Sequence, residues 1–235
     1  MIEAIIFDCD GVLVDSEVVG LEDTAAFMRS KGFDWQAADL VRLFTGLRDD
    51  VFAARLGEEY GKVLGRPPTE AEAGELFTAM IENRRRNRHM LQAVPGAEGM
   101  VQELAALPFK RAVASSTRIQ FLHDKLTRFD LWDYFAPHAY SAELVDHGKP
   151  APDIFLYAAE KIAVDPARCV VIEDSANGVK AGIDAGMVVW GFTGGGHCYD
   201  GHGDRLLEAG AVEVIDSHLA LRARFKGLQR AVTET

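Results

Sequence analysis

The stretch IEAIIFDCDG at residues 2–11 decides the fold class of this chain. A short apolar run rich in isoleucine ends abruptly at Asp8, Asp10 and Gly11. Such a pattern is typical of a strand buried on both faces of a parallel sheet. It predicts a strand over residues 2–7 whose carboxyl end carries two aspartates.

Four further runs have the same form, in which apolar residues are followed at once by small or polar ones. These predicted strands lie at 110–114, 168–172, 187–192 and 212–215. Helical patterns accompany them at about 97–107, 117–129, 151–163, 175–185 and 203–209. Strands that alternate with helices indicate βαβ units. The sequence therefore predicts an α/β fold, with a mostly parallel sheet covered by helices on both faces.

Residues 16–93 interrupt this alternation. They contain no convincing strand and four amphipathic helical stretches, at about 16–31, 36–45, 48–61 and 69–90. The turn signal Val94-Pro95-Gly96 follows them. We predict that residues 16–93 form a helical domain inserted after the first strand. Residues 1–15 and 94–235 then form the α/β domain.

Composition and charge narrow the range of partners. The 235 residues are 48% hydrophobic, enough for a sizeable core, and carry a formal net charge of −11. Such a surface disfavours nucleic acid and anionic membranes, which require Lys and Arg against their phosphates. No run approaches the roughly 20 apolar residues that span a bilayer. Three widely spaced cysteines and an N-terminus without a basic leader predict a cytoplasmic protein. Nothing argues for a dimer, so we predict a monomer.

Polar residues gather where several predicted strands end. In a parallel α/β sheet, functional groups collect at the carboxyl ends of the strands. Here they comprise two aspartates, two hydroxyls, an ammonium group and an acidic pair. The residues are Asp8, Asp10, Ser115, Ser116, Lys149, Glu173 and Asp174.

This set indicates phosphoryl transfer. Carboxylates crowded together repel one another unless a cation or a proton intervenes. Oxygen ligands favour a hard cation such as Mg²⁺, which also binds substrate phosphate. A lysine, a hydroxyl and backbone N–H groups suit the phosphate itself. One carboxylate could attack phosphorus, and a second could act as general acid and then as base.

The same residues resemble the motifs of a known family. FDCDGVLVDSE resembles the first motif of the haloacid dehalogenase superfamily, with the pattern DxDGxxxDS. Ser115 in VASST matches the second motif, Lys149 in GKPAPDIF the third, and Glu173-Asp174 in VIEDSANGVKAGIDAG the fourth. All four motifs occur in order, so the resemblance covers nearly the whole chain. It implies a Rossmann-like parallel sheet core with an α-helical cap inserted at residues 16–93.

The resemblance also implies roles. Asp8 would be the nucleophile and a magnesium ligand. Asp10 would be the general acid and base, with its backbone carbonyl on the metal. Asp174 would complete the metal site, with Glu173 close by or acting through water. Three groups would hold the phosphoryl oxygens: Ser115, the Ser116 amide and Lys149.

Within the family, the chain is similar to a subgroup that contains β-phosphoglucomutase, phosphoglycolate phosphatase and sugar-phosphate phosphatases. Gly20 stands where the mutase has a cap histidine that controls the acid/base aspartate, and Thr45 replaces a basic residue of its cap loop. Both departures favour a phosphatase for a small phosphate ester of a sugar, sugar acid or polyol, with 6-phosphogluconate as one candidate. A β-phosphoglucomutase-type mutase is the alternative. A non-catalytic ligand-binding domain is disfavoured because every catalytic position is filled.

The stretch Thr45-Gly46-Leu47-Arg48 resembles the cap loop that lies over the active site in that subgroup. Gly46 and Arg48 are therefore candidate substrate residues. An equally good interpretation makes Gly46 a helix-breaking turn residue. The arginines at 84–86 and 88 predict a solvated helix face.

The loop TGGGHC at 193–198 follows a predicted strand but lacks the spacing of a nucleotide-binding loop. Its position at a strand's carboxyl end predicts that His197 lies near the substrate mouth. A zinc site from His197, Cys198 and His202 would lack a clear fourth ligand, so a flexible loop is the favoured interpretation.

Overall fold

The computed structural model describes the backbone of residues 1–233, and their side chains except at 84 and 230–233. Within this range six parallel strands form one sheet, in the order β3-β2-β1-β4-β5-β6. The strands are β1 (Ala4–Phe7), β2 (Lys110–Ser115), β3 (Ala139–Ser141), β4 (Cys169–Glu173), β5 (Val188–Phe192) and β6 (Glu213–Ile215). The predicted α/β fold class is confirmed.

Helices cover both faces of the sheet. They are α5 (Ala97–Ala105), α6 (Ile119–Arg128), α7 (Trp132–Phe135), α8 (Asp153–Lys161), α9 (Ala176–Asp184), α10 (His202–Glu208) and α11 (His218–Thr233). Strand β1 is apolar throughout because both of its faces are buried. Ile5 and Phe7 pack in the cluster that contains α5 and α11 residues, whereas Ala4 and Ile6 pack in the cluster with α8 and α9. No helix in residues 1–233 combines the length with the apolar character that crossing a lipid bilayer requires.

Three elements are absent from the sequence prediction. Strand β3 and helix α7 have three and four residues, too few to display a period. Helix α11 does carry an apolar pair with helical spacing, Leu221 and Phe225, both buried under the sheet. That pattern was available in the sequence, and the prediction omitted it.

The helices between β1 and α5 pack on one another. They are α1 (Leu21–Ser30), α2 (Ala37–Phe44), α3 (Asp49–Leu64) and α4 (Glu70–Arg86). Met28, Phe44, Leu56 and Met80 belong to a hydrophobic cluster distinct from the two clusters on the sheet. We call residues 16–93 the helical segment.

Two adjacent connections join the helical segment to the sheet. Val14 bridges to Ala93, and the Asp15 N–H donates to the carbonyl of Gln92 at 2.8 Å. The first helix begins at Leu21 and not at residue 16 as predicted. The reason is that the Ser16 hydroxyl donates to the Asp10 carboxylate instead of capping a helix.

Candidate active site

The carboxyl ends of β1, β2 and β4 bring most of the predicted residues together. Phe7 pairs with Val113 on one side and with Ile172 on the other, so these three strands end at one level. Asp8 follows β1 directly, and Glu173 is the last residue of β4. Register thus places the acidic residues of two motifs side by side at the edge of the sheet.

Lys149 lies at the centre of this arrangement. Its ammonium nitrogen is 2.6 Å from Oδ1 of Asp8 and 2.8 Å from Oε2 of Glu173, and its side chain is fully buried. Burial lowers the pKa of Lys149, but Asp8 and Glu173 raise it more, so the pKa lies above its usual range. Lys149 is therefore charged. We call Asp8, Lys149, Glu173 and Asp174 the buried cluster.

The buried cluster contains three carboxyl groups and only one ammonium group. Burial raises the pKa of Asp8 to about 7, with Lys149 opposing the shift and Glu173 adding to it. Burial, Glu173 and Asp8 likewise raise the pKa of Asp174 well above its usual range. Within the described residues, neither carboxylate oxygen of Asp174 has a well-formed hydrogen bond, and only Oδ2 has an ion-pair contact, with Nε2 of His197 at 2.9 Å. Such orphaned buried oxygens are costly unless something neutralises them.

A divalent cation fits these residues. Asp8, Glu173 and Asp174 each offer a carboxylate oxygen, and these atoms lie within 4.8 Å of one another. An all-oxygen donor set with spare negative charge suits Mg²⁺. The observation that carries this fit is Oδ1 of Asp174, which is buried and has no partner within the described residues.

Asp10 occupies a different environment from Asp8. Lys125 and Ser16 donate to its Oδ1, and the Thr117 hydroxyl donates to its Oδ2 at 2.6 Å. Burial alone would raise the pKa of Asp10, but Lys125 and these donors hold it below its usual range. Asp10 is thus an ionised carboxylate with a cationic partner. The sequence prediction included neither Lys125 nor Thr117.

The two serines at the end of β2 have different neighbours: Ser115 contacts Asp10, and Ser116 contacts the helical segment. Ser115 is fully buried, and its hydroxyl lies 3.3 Å from Oδ2 of Asp10. The Ser116 hydroxyl donates to the carbonyl of Gly46 at 2.8 Å. Ser116 therefore joins the sheet edge to the helical segment at the predicted cap loop.

A cavity of about 750 Å³ separates the helical segment from the sheet edge. Asp8, Asp10, Ser116, Thr117 and Lys125 line its lower side, which we call the cavity floor. The opposite side, the cavity roof, comes chiefly from the face of α4 that carries Phe77, Thr78, Ile81, Glu82 and Arg85, continued by Arg88. Gly46 also lines the cavity, as predicted for a cap loop.

Arg48 is placed elsewhere and is not part of the cavity lining. Its guanidinium donates to the carbonyls of Ala142 and Val145, both at 3.2 Å, and of Asp146 at 3.1 Å. Asp50 accepts two further bonds from it at 2.7 Å. Arg48 thus connects the helical segment to the chain after β3, a different position from the predicted substrate contact.

The arginines near the end of α4 whose side chains are described are exposed, as predicted, and two of them also line the cavity. Arg85 and Arg88 line the cavity, whereas the side chain of Arg84 lies outside the described residues. The guanidinium of Arg88 sits 5.0 Å from the Phe121 ring centre. Arg85 has no ion pair or side-chain hydrogen bond within the described part of the chain. The helical spacing of Thr78, Ile81, Arg85 and Arg88 could have shown that they share a face.

The TGGGHC loop reaches the buried cluster from the side. His197 is fully buried, and its Nε2 lies 2.9 Å from Oδ2 of Asp174. It is absent from the cavity lining, so the expectation that it lies at the substrate mouth is wrong. Ligand atoms of His197, Cys198 and His202 also lie within 4.8 Å of one another. However, Nε2 of His202 is already 2.6 Å from the Asp174 carbonyl.

Comparisons with known proteins agree with this geometry. A sequence model of the haloacid dehalogenase-like hydrolases matches residues 2–186. A 6-phosphogluconate phosphatase of Escherichia coli is 28% identical over 205 residues, which cover 86% of this chain and 85% of that protein. A phosphorylated carbohydrates phosphatase of Thermotoga maritima is 32% identical, with coverage of 91% and 94%. The crystal structure of a haloacid dehalogenase-like protein from Agrobacterium tumefaciens superposes with a TM-score of 0.75 at 33% identity, with coverage of 97% and 99%.

Proposed function

Because the chain belongs to the haloacid dehalogenase-like hydrolases, we propose that it removes phosphate from a small phosphorylated sugar, sugar acid or polyol. Asp8 is the nucleophile and Mg²⁺ the cofactor in this proposal. One observation carries it. Asp8 lines the cavity beside two further buried carboxylates and is held at one oxygen by Lys149, 2.6 Å away.

The geometry at Asp8 suits nucleophilic attack. Its Oδ1 accepts from Lys149, and no hydrogen bond within the described residues reaches its Oδ2. In the first step this oxygen forms a bond to phosphorus while the ester P–O bond breaks, and the electron pair leaves with the substrate oxygen. In the second step water attacks phosphorus and the bond to Asp8 breaks, which regenerates the carboxylate. Lys149 offsets the charge of the transferring group throughout.

Asp10 is the proposed proton carrier. As general acid it must deliver a proton to the leaving oxygen, and as base it must take one from the attacking water. The ionised Asp10 held by Lys125 is ready for the second task only. We infer that substrate binding has to weaken the contact with Lys125 before Asp10 can carry the first proton. Lys125 itself lines the cavity floor, where the substrate's phosphate would reach it.

The cation would be held by Asp8 and Asp174, with Glu173 close by and the Asp10 backbone carbonyl as a further ligand. When bound, Mg²⁺ supplies positive charge that offsets repulsion between the carboxylate and the phosphate. The unpartnered Oδ1 of Asp174 and the raised pKa of Asp8 support this assignment. Both features are expected of crowded carboxyl groups whose charge a bound cation would offset.

The helical segment is the proposed cap. It closes the cavity from above through bonds that cross to the sheet domain, such as that from Ser116 to Gly46 at 2.8 Å and from Asn177 to the Thr45 carbonyl at 3.2 Å. Closure would exclude water while the phosphate is transferred. The substrate would enter when these contacts open.

The positive charge on the cavity roof favours an acidic substrate. Arg85 presents a guanidinium without an ion-pair partner among the described residues. An additional carboxylate on the alcohol portion of the ester would give it one. A phosphorylated sugar acid therefore fits better than a neutral sugar phosphate, and the activity named for the Escherichia coli relative agrees with this. The apolar roof residues Phe77 and Ile81 would contact the carbon chain.

The mutase alternative has weaker support. A mutase must hold a second phosphate while the intermediate turns over, to which a basic residue of its cap loop contributes, and its cap histidine controls the acid/base aspartate. Here Gly20 and Thr45 occupy those positions, and Thr45 is buried with a hydroxyl that lacks a partner in the described structure. Hydrolysis is thus the favoured outcome.

A panel of phosphate esters tests the proposal. Phosphate release should require Mg²⁺, stop with a chelator and be fastest for sugar-acid esters. The absence of metal-dependent turnover across the panel would contradict the phosphatase assignment. β-Glucose 1-phosphate with a bisphosphate activator tests the alternative, because glucose 6-phosphate as the main product would indicate a mutase.

A further inference from the structure

The loop after β5 crosses the end of β4 to reach the loop after β1. The Gly196 N–H donates to the Asp15 carboxylate at 3.1 Å. A Cβ added at Gly195 would lie 2.6 Å from the carbonyl oxygen of Gly11, closer than atoms can approach. The glycine thus permits the two loops to touch. With the two loops in contact, His197, which follows in the same loop, lies beside the buried cluster.

His197 fills the space between Gly11 and Asp174. A Cβ at Gly11 would overlap the Asp174 carboxylate and lie 2.6 Å from Cε1 of His197. Gly11 also has a φ of +77°, which L side chains rarely adopt. Both the backbone and the lack of a side chain at Gly11 therefore allow the imidazole to reach the carboxylate.

Other buried histidines of the chain behave differently. His202 bonds the main-chain carbonyl of Asp174 at 2.6 Å, and His218 bonds the carbonyl of Val12 at 2.8 Å. These are ordinary structural contacts of a buried imidazole. Nε2 of His197 instead lies 2.9 Å from a carboxylate oxygen, Oδ2 of Asp174, and 3.6 Å from Sγ of Cys198, and its Nδ1 has no partner within the described residues. Packing alone does not explain this choice of neighbour.

We propose that His197 is a positioning residue that holds the Asp174 carboxylate in place for the divalent cation. The inference rests on the proposed function, in which Asp174 is a metal ligand. His202 bonds the main-chain carbonyl of Asp174, and His197 contacts its side chain at 2.9 Å. A ligand held in this way loses less freedom when the cation binds. Partners of metal ligands typically contribute 10–100-fold to metal affinity.

The test measures Mg²⁺ binding to the metal-free protein by calorimetry, together with the Mg²⁺-dependent rise in melting temperature. His197→Ala should raise the Kd for Mg²⁺ by about 10–100-fold. His197→Gln, which keeps a neutral donor near Asp174, should recover part of the loss. Turnover at saturating Mg²⁺ should fall much less than turnover at low Mg²⁺, because the defect lies in binding the cation.

Matched variants separate the possible results. His218→Gln alters a buried histidine that does not touch Asp174, and it should leave the Kd for Mg²⁺ unchanged. If folded His197→Ala and His197→Gln both bind Mg²⁺ within twofold of the unaltered protein, the positioning role is wrong. If Asp174→Asn binds Mg²⁺ as tightly as the unaltered protein, Asp174 is not a ligand. In that case the proposed metal site fails, and the role of His197 fails with it.

Discussion

The buried cluster, of which Asp8 lines the cavity, and the cavity roof are built in opposite ways. The buried cluster is at most 4% exposed, and its carboxylates follow strands whose register is set by the sheet. The cavity roof consists chiefly of side chains on α4, continued by Arg88, whose side chain is 46% exposed. A displacement of a strand end would disturb the whole core, whereas a roof side chain can change without affecting the fold.

This difference separates chemistry from recognition. The groups proposed to react with phosphate are fixed by buried ion pairs, and changes there should be severe for activity, stability or both. The groups proposed to contact the rest of the substrate are held loosely, and changes there should alter which ester is accepted. A residue that acts as part of the buried cluster should affect all esters or the stability, whereas one that acts as part of the cavity roof should affect the preference among esters.

The largest expected effect is that of Asp8→Asn. Removal of the nucleophile should lower kcat for every ester by about four orders of magnitude, whatever the alcohol portion. Release of phosphate from a saturating ester measures this. Asp184→Asn, an exposed acid paired with Lys180 on α9, is the matched control and should keep full activity. If Asp8→Asn retained even a tenth of the rate, Asp8 could not be the nucleophile.

Lys149→Met should have the largest effect on stability. It leaves Asp8 and Glu173 buried without their cation, which typically costs 3–5 kcal/mol. Urea unfolding at neutral pH without metal measures the loss. Lys180→Met breaks an exposed pair with Asp184 and should cost less than about 1 kcal/mol. Equal costs for the two variants would mean that the buried cluster is less tightly coupled than its distances indicate.

The pH dependence of stability tests the same cluster. The pKa of Asp8 is about 7 in the folded protein against an ordinary 3.8, so between these values the folded state binds a proton that the unfolded state does not. Asp8 therefore costs stability increasingly as the pH rises from about 4 to 7. Without metal, the melting temperature of Asp8→Asn minus that of the unaltered protein should grow between pH 5 and pH 8. A constant difference would show that Asp8 has an ordinary pKa.

The same contrast explains which features could be predicted from sequence. Asp8, Lys149, Glu173 and Asp174 were found because strand ends meet at one sheet edge and because their motifs keep a fixed order. The side chain of Lys125 reaches Asp10 from a helix, over a distance that no local pattern records. Long-range contacts of this kind depend on how helices pack, which a single sequence does not specify.

The roof and the TGGGHC loop show a second limit. Charge indicated correctly that Arg85 is exposed, but not that the same helix face carries Phe77 and Ile81 and lines the cavity. His197 was expected at the substrate mouth because its loop follows a strand. The loop instead turns inward, since Gly195 and Gly11 allow two backbones to touch. The sequence placed His197 after a strand and Arg85 on a helix, but it did not show the direction in which either side chain points.

Arg85→Ala tests the cavity roof. It should lower kcat/KM for 6-phosphogluconate by about tenfold, since a hydrogen bond to a charged group is worth about 1.5 kcal/mol or more. The neutral ester glucitol 6-phosphate, which lacks the carboxylate, should change less than twofold. Arg86→Ala alters the next residue, which is exposed and outside the cavity lining, and should affect neither ester. An equal loss for both esters would assign Arg85 to the phosphate or to the fold.

The smallest effect is expected for Arg48→Ala, because Arg48 belongs to neither the buried cluster nor the cavity roof. Arg48 joins the helical segment to the carbonyls of Ala142, Val145 and Asp146, so its loss should favour an open cavity. We expect KM to rise about threefold for acidic and neutral esters alike, in line with the modest net value of such hydrogen bonds.

Arg55→Ala is the matched control for Arg48→Ala. Arg55 also donates to a carbonyl, that of Leu43 at 3.1 Å, but within the helical segment. The Arg55 variant should therefore leave KM unchanged. A loss confined to acidic esters in Arg48→Ala would mean that Arg48 contacts substrate after all, as the cap-loop resemblance predicted. A loss for both esters instead assigns Arg48 to closure, because closure acts on every substrate that the cavity admits.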